Sequence, residues 1–168
     1  MKINGKKIDG PSLDYVVFPR PEGDIVFTIS CVLDYEPFTK LCPLPEPPKI
    51  QHRGSTEWIP NFEDDKYIES IRHFSEKRTH WMVLISLSAT PNLEWETVDM
   101  MDSSTWGNYV DELTQGGFTD AQVAKIINSV SAINGLNERM MEDAKKRFLA
   151  GKLADELQNS QEVERPST

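Results

Sequence analysis

Phe118-Thr119-Asp120-Ala121-Gln122-Val123 is the stretch that decides the fold. Thr119 is a strong N-cap residue, because its hydroxyl can accept a bond from a first-turn N–H that has no helical partner. Gln122, three residues on, can reach back to the Thr119 N–H and close a capping box. Phe118 can staple to Val123 across the cap. Val123, Ile126, Ile127, Val130 and Ile133 then fall at helical spacing and form one apolar stripe. Asn134-Gly135 predicts a stop, since Gly enters the left-handed region at little cost. A second helix is predicted to open at once. Asn137 would cap it, Leu136 and Met141 would staple around the cap, and Met140, Met141, Ala144, Phe148 and Leu149 would be its apolar positions before Gly151. Two helices joined so closely predict a hairpin or a kinked rod.

Working outward, Asp64 or Asp65 predicts the cap of a long helix reaching about Ser88. Tyr67, Ile68, Ile71, Phe74, Trp81, Met82 and Ile85 mark its apolar face, and Pro91 ends it. Residues 92–101 read as a connector. Asp102-Ser103-Ser104 supplies N-cap candidates for a short helix with Trp106, Tyr109, Val110 and Leu113, ended by Gly116-Gly117. Toward the N-terminus the period changes. Asn4-Gly5 predicts a type I′ hairpin turn between very short strands. Tyr15 to Phe18 and Ile25 to Leu33 predict strands, the second with Ile25, Phe27, Ile29, Cys31 and Leu33 on one face. Tyr35, Phe38 and Leu41, on a turn opened by Pro37, could cover that face, and one more short strand is expected between Gln51 and Trp58. The fold class is α+β: a small N-terminal antiparallel β-sheet followed by a helical C-terminal part of about four helices. The expected organisation is a β-sheet domain at 1–42, a proline-rich linker at 43–56, a helical domain at 57–151 and a polar tail at 152–168. Cys42-Pro43-Leu44-Pro45-Glu46-Pro47-Pro48 motivates the linker, as an extended, stiff segment.

The totals limit the function. The 168 residues carry a net charge of −9, with 38% hydrophobic and 27% charged residues. An acidic chain is a poor binder of nucleic acid or anionic membrane, which need clustered Lys and Arg. No apolar run approaches the about eighteen residues of a membrane span, and the N-terminus has no signal-peptide core. Cys31 and Cys42 make neither a disulfide framework nor a zinc site and read as free thiols of a reducing cytoplasm.

The charge is unevenly placed. Residues 1–56 hold seven basic and seven acidic side chains, whereas residues 91–118 hold six acidic and none basic. Glu94 and Glu96 flank Trp95, with Asp99 and Asp102 close behind. No calcium-loop spacing is present, and acid–base catalysis would need two carboxyls in a cleft with their pKa values driven apart. A solvated loop with tucked tryptophans is the plain reading. A partner surface formed by Glu94, Trp95, Glu96, Asp99, Trp106 and Tyr109 is the functional one, because Trp and Tyr are enriched at interaction hot spots. His52, His73 and His80 show no metal-binding spacing. The methionines Met82, Met100, Met101, Met140 and Met141 read as core filling or as an adaptable groove. The residues give no catalytic, cofactor or metal site.

Several ordered motifs carry a resemblance. They are Trp81-Met82-Val83-Leu84-Ile85-Ser86-Leu87, Leu93-Glu94-Trp95-Glu96-Thr97-Val98-Asp99, Thr105-Trp106-Gly107-Asn108-Tyr109 with Glu112-Leu113, Gly117-Phe118-Thr119, Asn134-Gly135-Leu136-Asn137-Glu138 and Arg147-Phe148-Leu149-Ala150-Gly151. Together they resemble the tail assembly chaperones of tailed bacteriophages over about residues 80–151. The segment Phe38-Thr39-Lys40-Leu41-Cys42-Pro43 is similar too. The resemblance implies a non-enzymatic chain without cofactor that holds a tape-measure or tail-tube protein in the cytoplasm of an infected bacterium, alone or as a homo-oligomer. Two alternatives stand beside it: a structural component of the virion tail or connector, and a phage-encoded protein that binds a host protein.

Overall fold

The computed structural model describes residues 1–7, 10–51, 54, 56–135, 138–139 and 141–150. Its strands form three separate two-stranded antiparallel sheets, β1–β2 (Lys2–Ile3 and Lys6–Lys7), β3–β4 (Leu13–Phe18 and Ile25–Ser30) and β5–β6 (Lys49–Gln51 and Trp58–Pro60). Around them run α1 (Glu36–Leu41), α2 (Asp65–Leu87), a 3-10 turn (Trp106–Asn108), α3 (Tyr109–Gln115) and α4 (Asp120–Ile133). Residues 138–139 and 141–150 are also helical. The chain is therefore α+β with small antiparallel sheets first and helices after.

Local chemistry explains the elements. Asn4 and Gly5 both take positive φ, 51° and 77°, as the β1–β2 turn requires. In β3–β4 the register pairs Val16 with Phe27 and Asp14 with Ile29. Val16, Phe18, Phe27 and Ile29 are buried on the inner face, and Leu13, Tyr15, Val17 and Val26 are exposed on the outer one. Strand β4 ends at Ser30, short of the expected Leu33, which lies exposed beyond it. Phe38 of α1 is buried, as its place under the sheet predicts, while Leu41 stays exposed. Asp64 is the α2 cap, its carboxylate accepting from the Tyr67 N–H at 2.9 Å.

The long helix departs from the expected one-sided stripe. Ile68 is 46% exposed, whereas Trp81, Met82, Val83, Leu84, Ser86 and Leu87 are all buried. The last turns of α2 are enclosed on every side, with β4 on one flank and the 3-10 turn and α4 on others. A helix end that is apolar all round is one that sits inside the molecule.

The core corrects the expected division into domains. Val16, Phe18, Phe27 and Ile29 from the β segment share one buried cluster with Trp81, Leu87, Trp106, Leu113, Ile126 and Val130 from the helical segment. The boundary at 43–56 thus separates two stretches that bury their apolar faces against each other. The supposed linker carries β5, and Pro43 and Pro45 lie beside Ser70, Phe74 and Lys77 of α2.

Thr119 caps α4 with the full capping box. Its N–H donates to Gln122 Oε1 at 3.0 Å, and Gln122 N–H donates to Thr119 Oγ1 at 3.3 Å. Phe118 and Val123 are both buried beside the cap. Asn134 is the C-cap and Gly135 follows with φ 70°. Asn134 does more than end the helix. Its amide donates to Ser86 Oγ at 3.1 Å and to the Val130 carbonyl at 2.8 Å, and its Oδ1 accepts from Val32 N–H at 2.8 Å. One side chain so joins α2, α4 and the exit of β4. Leu136 and Asn137, which would set the angle to the following helix, lie outside the described residues, as do Met140, Gly151 and the predicted polar tail at 152–168.

Candidate functional site

After α2 the chain turns back along the sheet. Thr90 fixes the start of this connector. Its hydroxyl accepts from Thr28 N–H and donates to the Thr28 carbonyl, each at 3.0 Å. The side chain thereby takes the place of a neighbouring strand at the outer edge of β4. Asn92 then adopts φ 59°, a conformation that Asn tolerates better than other side chains.

The rest of the connector is a folded, hydrogen-bonded loop. Glu112 of α3 clips it down. The Glu112 carboxylate accepts from Glu96 N–H at 2.9 Å, from Thr97 N–H at 2.7 Å and from Thr97 Oγ1 at 2.6 Å. Burial pushes the Glu112 carboxyl up, but these three bonds outweigh it and hold the group below the usual glutamate range. Asn108 donates to the Thr97 carbonyl at 3.1 Å, and Asp99 N–H donates to Thr105 Oγ1 at 2.8 Å. Asp102 accepts from the hydroxyl and the N–H of Ser104, which lowers its pKa as well. The Asp102-Ser103-Ser104 stretch makes this turn, and the residue before the 3-10 turn is Thr105, without a side-chain cap bond.

The six sequence-predicted site residues divide into two groups. Glu94, Glu96 and Asp99 are exposed and Trp95 is half-buried. Trp106 and Tyr109 are core residues, at 0% and 1% exposure, and are corrected to structural roles. Trp106 Nε1–H donates to the Asp99 carbonyl at 3.1 Å and its ring stands 6.1 Å from Phe38. The Tyr109 ring lies edge-on to Trp95 at 6.1 Å and to His80 at 5.7 Å. Burial pushes the Tyr109 hydroxyl up to about 12. Aromatic residues in an acidic stretch look alike in sequence whether they face in or out, and these two face in.

Beside the exposed carboxylates lies an open cavity of about 370 Å3. Ile25, Val26 and Phe27 of β4 form one wall. Thr90, Pro91, Asn92, Leu93, Glu94 and Trp95 form the opposite one, and Glu112, Leu113 and Phe118 close the end. Phe118 is held in an edge-to-face triad with Phe18 and Phe27, at centroid distances of 5.4 and 5.5 Å. The floor is therefore largely aromatic, and Glu94 and Glu112 stand on the lining. Among the described residues none of the six carboxylates of residues 91–118 is in a salt bridge. Two cations stand by: Lys77 acts on Asp102 through space, and Arg20 is already engaged, its Nη2 donating to the Gly117 carbonyl at 2.8 Å and the group lying 4.9 Å from the Phe118 ring centre.

The groove residues Val26, Phe27, Leu93, Glu112 and Phe118 were not legible as a site. Glu112 counted toward the acidic total and one motif of the resemblance, Leu93 belonged to the connector, Phe118 read as a staple, and of the two β4 residues only Phe27 fell on the apolar face. Cavities of about 350 Å3, between Pro43–Pro45 and α2, and of about 360 Å3, beside Asp14 and Lys125, are similar in size, but neither is lined by the acidic connector. His73 sits between Glu69 and Glu76 on the open face of α2. His80 is half-buried and held below the usual histidine range by burial, with Glu76 opposing. His52 lies outside the described residues. Among the methionines Met82 is buried, while Met101 and Met141 are exposed, and none of these lines the groove. Among the described residues no group of three His, Cys, Asp or Glu side chains is placed to hold a metal ion. Among them, too, no helix is long and apolar enough to cross a membrane. Comparisons with family models, with curated proteins and with solved structures each returned no match.

Proposed function

We propose that the protein works by binding, as a non-enzymatic assembly factor for the tail of a bacteriophage. Its client is a tail protein of the tape-measure or tail-tube kind, met in the cytoplasm of the infected host. One observation carries the binding part of this reading: an unpaired acidic face, Glu94, Glu96 and Asp99, stands on a connector that Glu112 and Thr90 hold in one conformation. A preorganised charged face loses little entropy on association and steers an oppositely charged partner. The motifs between Trp81 and Gly151 that resemble tail assembly chaperones support the choice of client.

Co-expression with the tape-measure and tail-tube proteins of the same phage, followed by affinity capture, tests the proposal. Capture of one of them at a defined ratio is the expected result. The variant Glu94→Gln/Glu96→Gln/Asp99→Asn keeps the side-chain shapes and removes three charges. It should fold normally and associate several-fold more slowly, with a weaker dependence on salt. Recovery of the protein in many copies from purified virions would instead make it a structural component. Capture of a host protein alone would make it host-directed.

A further inference from the structure

From the groove between β4 and the connector, we infer that the ligand segment is a short cationic peptide stretch bearing one large apolar anchor. The inference rests on the reading above that the connector face binds a protein, and it assigns the chemistry of the segment bound. The cavity, about 370 Å3, is large enough for one aromatic or branched aliphatic side chain with its flanking backbone. Its floor is Phe27, Leu113 and Phe118, all buried and mutually packed, so an anchor entering it meets a preformed apolar surface. Val26 stands at the mouth, 44% exposed, with no partner covering it among the described residues.

Charge decides the rest of the ligand. Glu94 and Glu112 lie on the lining, and Glu96, Asp99 and Asp111 are close by in sequence and exposed or at the clip. The hydrogen bonds that hold Glu112 also favour its ionised form. Arg20, the cation at the closed end, donates to Gly117 and covers Phe118, leaving the open rim acidic. Such a rim repels Asp and Glu and favours Lys or Arg on either side of the anchor. An apolar anchor seated in a pocket with complementary charge around it is the usual anatomy of a hot spot.

The test uses the full chain and three fluorescein-labelled synthetic peptides. The first is Lys-Lys-Phe-Leu-Lys-Lys, the second replaces every Lys by Glu, and the third replaces Phe and Leu by Ser. Anisotropy should show saturable binding of the first, at least tenfold weaker binding of the third and none of the second. The Trp95 indole resonance should shift on titration. Val26→Arg, on the exposed face of β4, should weaken the first peptide at least tenfold, and Glu94→Gln several-fold. Equal binding of the first and third peptides would overturn the inference, as would an unmoved Trp95 resonance or indifference to Val26→Arg. A sedimenting dimer abolished by Val26→Arg would make the occupant a second copy, which also overturns it. If a tail protein is captured equally by Val26→Arg and wild type, the groove assignment fails and the assembly role stands. If the peptides behave as expected but no tail protein is captured, the assembly role fails and the groove stands.

Discussion

Single side chains hold this molecule at points of two kinds. Thr119 is the local kind. Both of its capping bonds run to Gln122, three residues away. Thr119→Ala removes the acceptor for one first-turn N–H and should cost about 1 kcal/mol, read from urea unfolding at unchanged m. Thr90 is the distant kind. Its two bonds to Thr28 span 62 residues and satisfy a peptide unit at the edge of β4. Thr90→Val keeps the shape, loses both bonds and should cost about 1–3 kcal/mol. Thr90→Ser should restore most of that loss, and a Val variant as stable as wild type would show that water replaces the hydroxyl. The contrast explains what was legible. A cap is written in residues three apart, so the Thr119 box could be read directly. Nothing near Thr90 or Asn134 in the chain names Thr28, Val32 or Ser86 as partners. Asn134 read only as a helix stop, although it joins three elements.

At the scale of elements, the join between the connector and α3 is electrostatic as well as geometric. Glu112 is held below its usual pKa in the folded chain, burial being outweighed by bonds from Thr97 and Glu96. Its stabilising contribution is therefore complete above the ordinary glutamate pKa. It is lost as pH falls through the lowered folded value, where the protonated carboxyl no longer accepts three bonds. Glu112→Gln should accordingly melt below wild type at neutral pH, and the gap should close in acid. A gap that stays constant across that range would remove the carboxylate from the account. The short helix, its Gly116-Gly117 end and the plain reading of tucked tryptophans were legible, whereas the partner-surface reading needed Trp106 and Tyr109 on the outside, where they are not. Periodicity gives the apolar side of a helix only when one side is covered. It could not show that a second layer, the connector, covers the Trp106–Tyr109 turn. The same limit produced the single stripe assigned to α2, whose last turns are enclosed all round.

For the whole molecule the decisive fact is the shared core. The sheet β3–β4 buries Val16, Phe27 and Ile29 in the same cluster as Ile126 and Val130 of α4. Native-state hydrogen exchange should give the amides of β4 and of α4 the same free energy of opening. A β segment opening several kcal/mol below the helices would restore the two-domain organisation that the proline segment suggested. Composition and period were enough for the α+β class. They could not reveal that residues on both sides of Pro43–Pro48 meet, since that depends on surface complementarity between distant elements. One further property follows from the sheets, each of which joins strands adjacent in sequence. Such hairpins close within about 1–10 μs. Loop-closure entropy then predicts that the contact of Asn134 with Val32, 102 residues apart in the chain, forms late. Quick local pieces should wait on the long closures, Thr28 to Thr90, Arg20 to Gly117 and Val32 to Asn134. Substitutions in the hairpin turns should leave the refolding rate nearly unchanged, whereas those at the α4–sheet contact should set it.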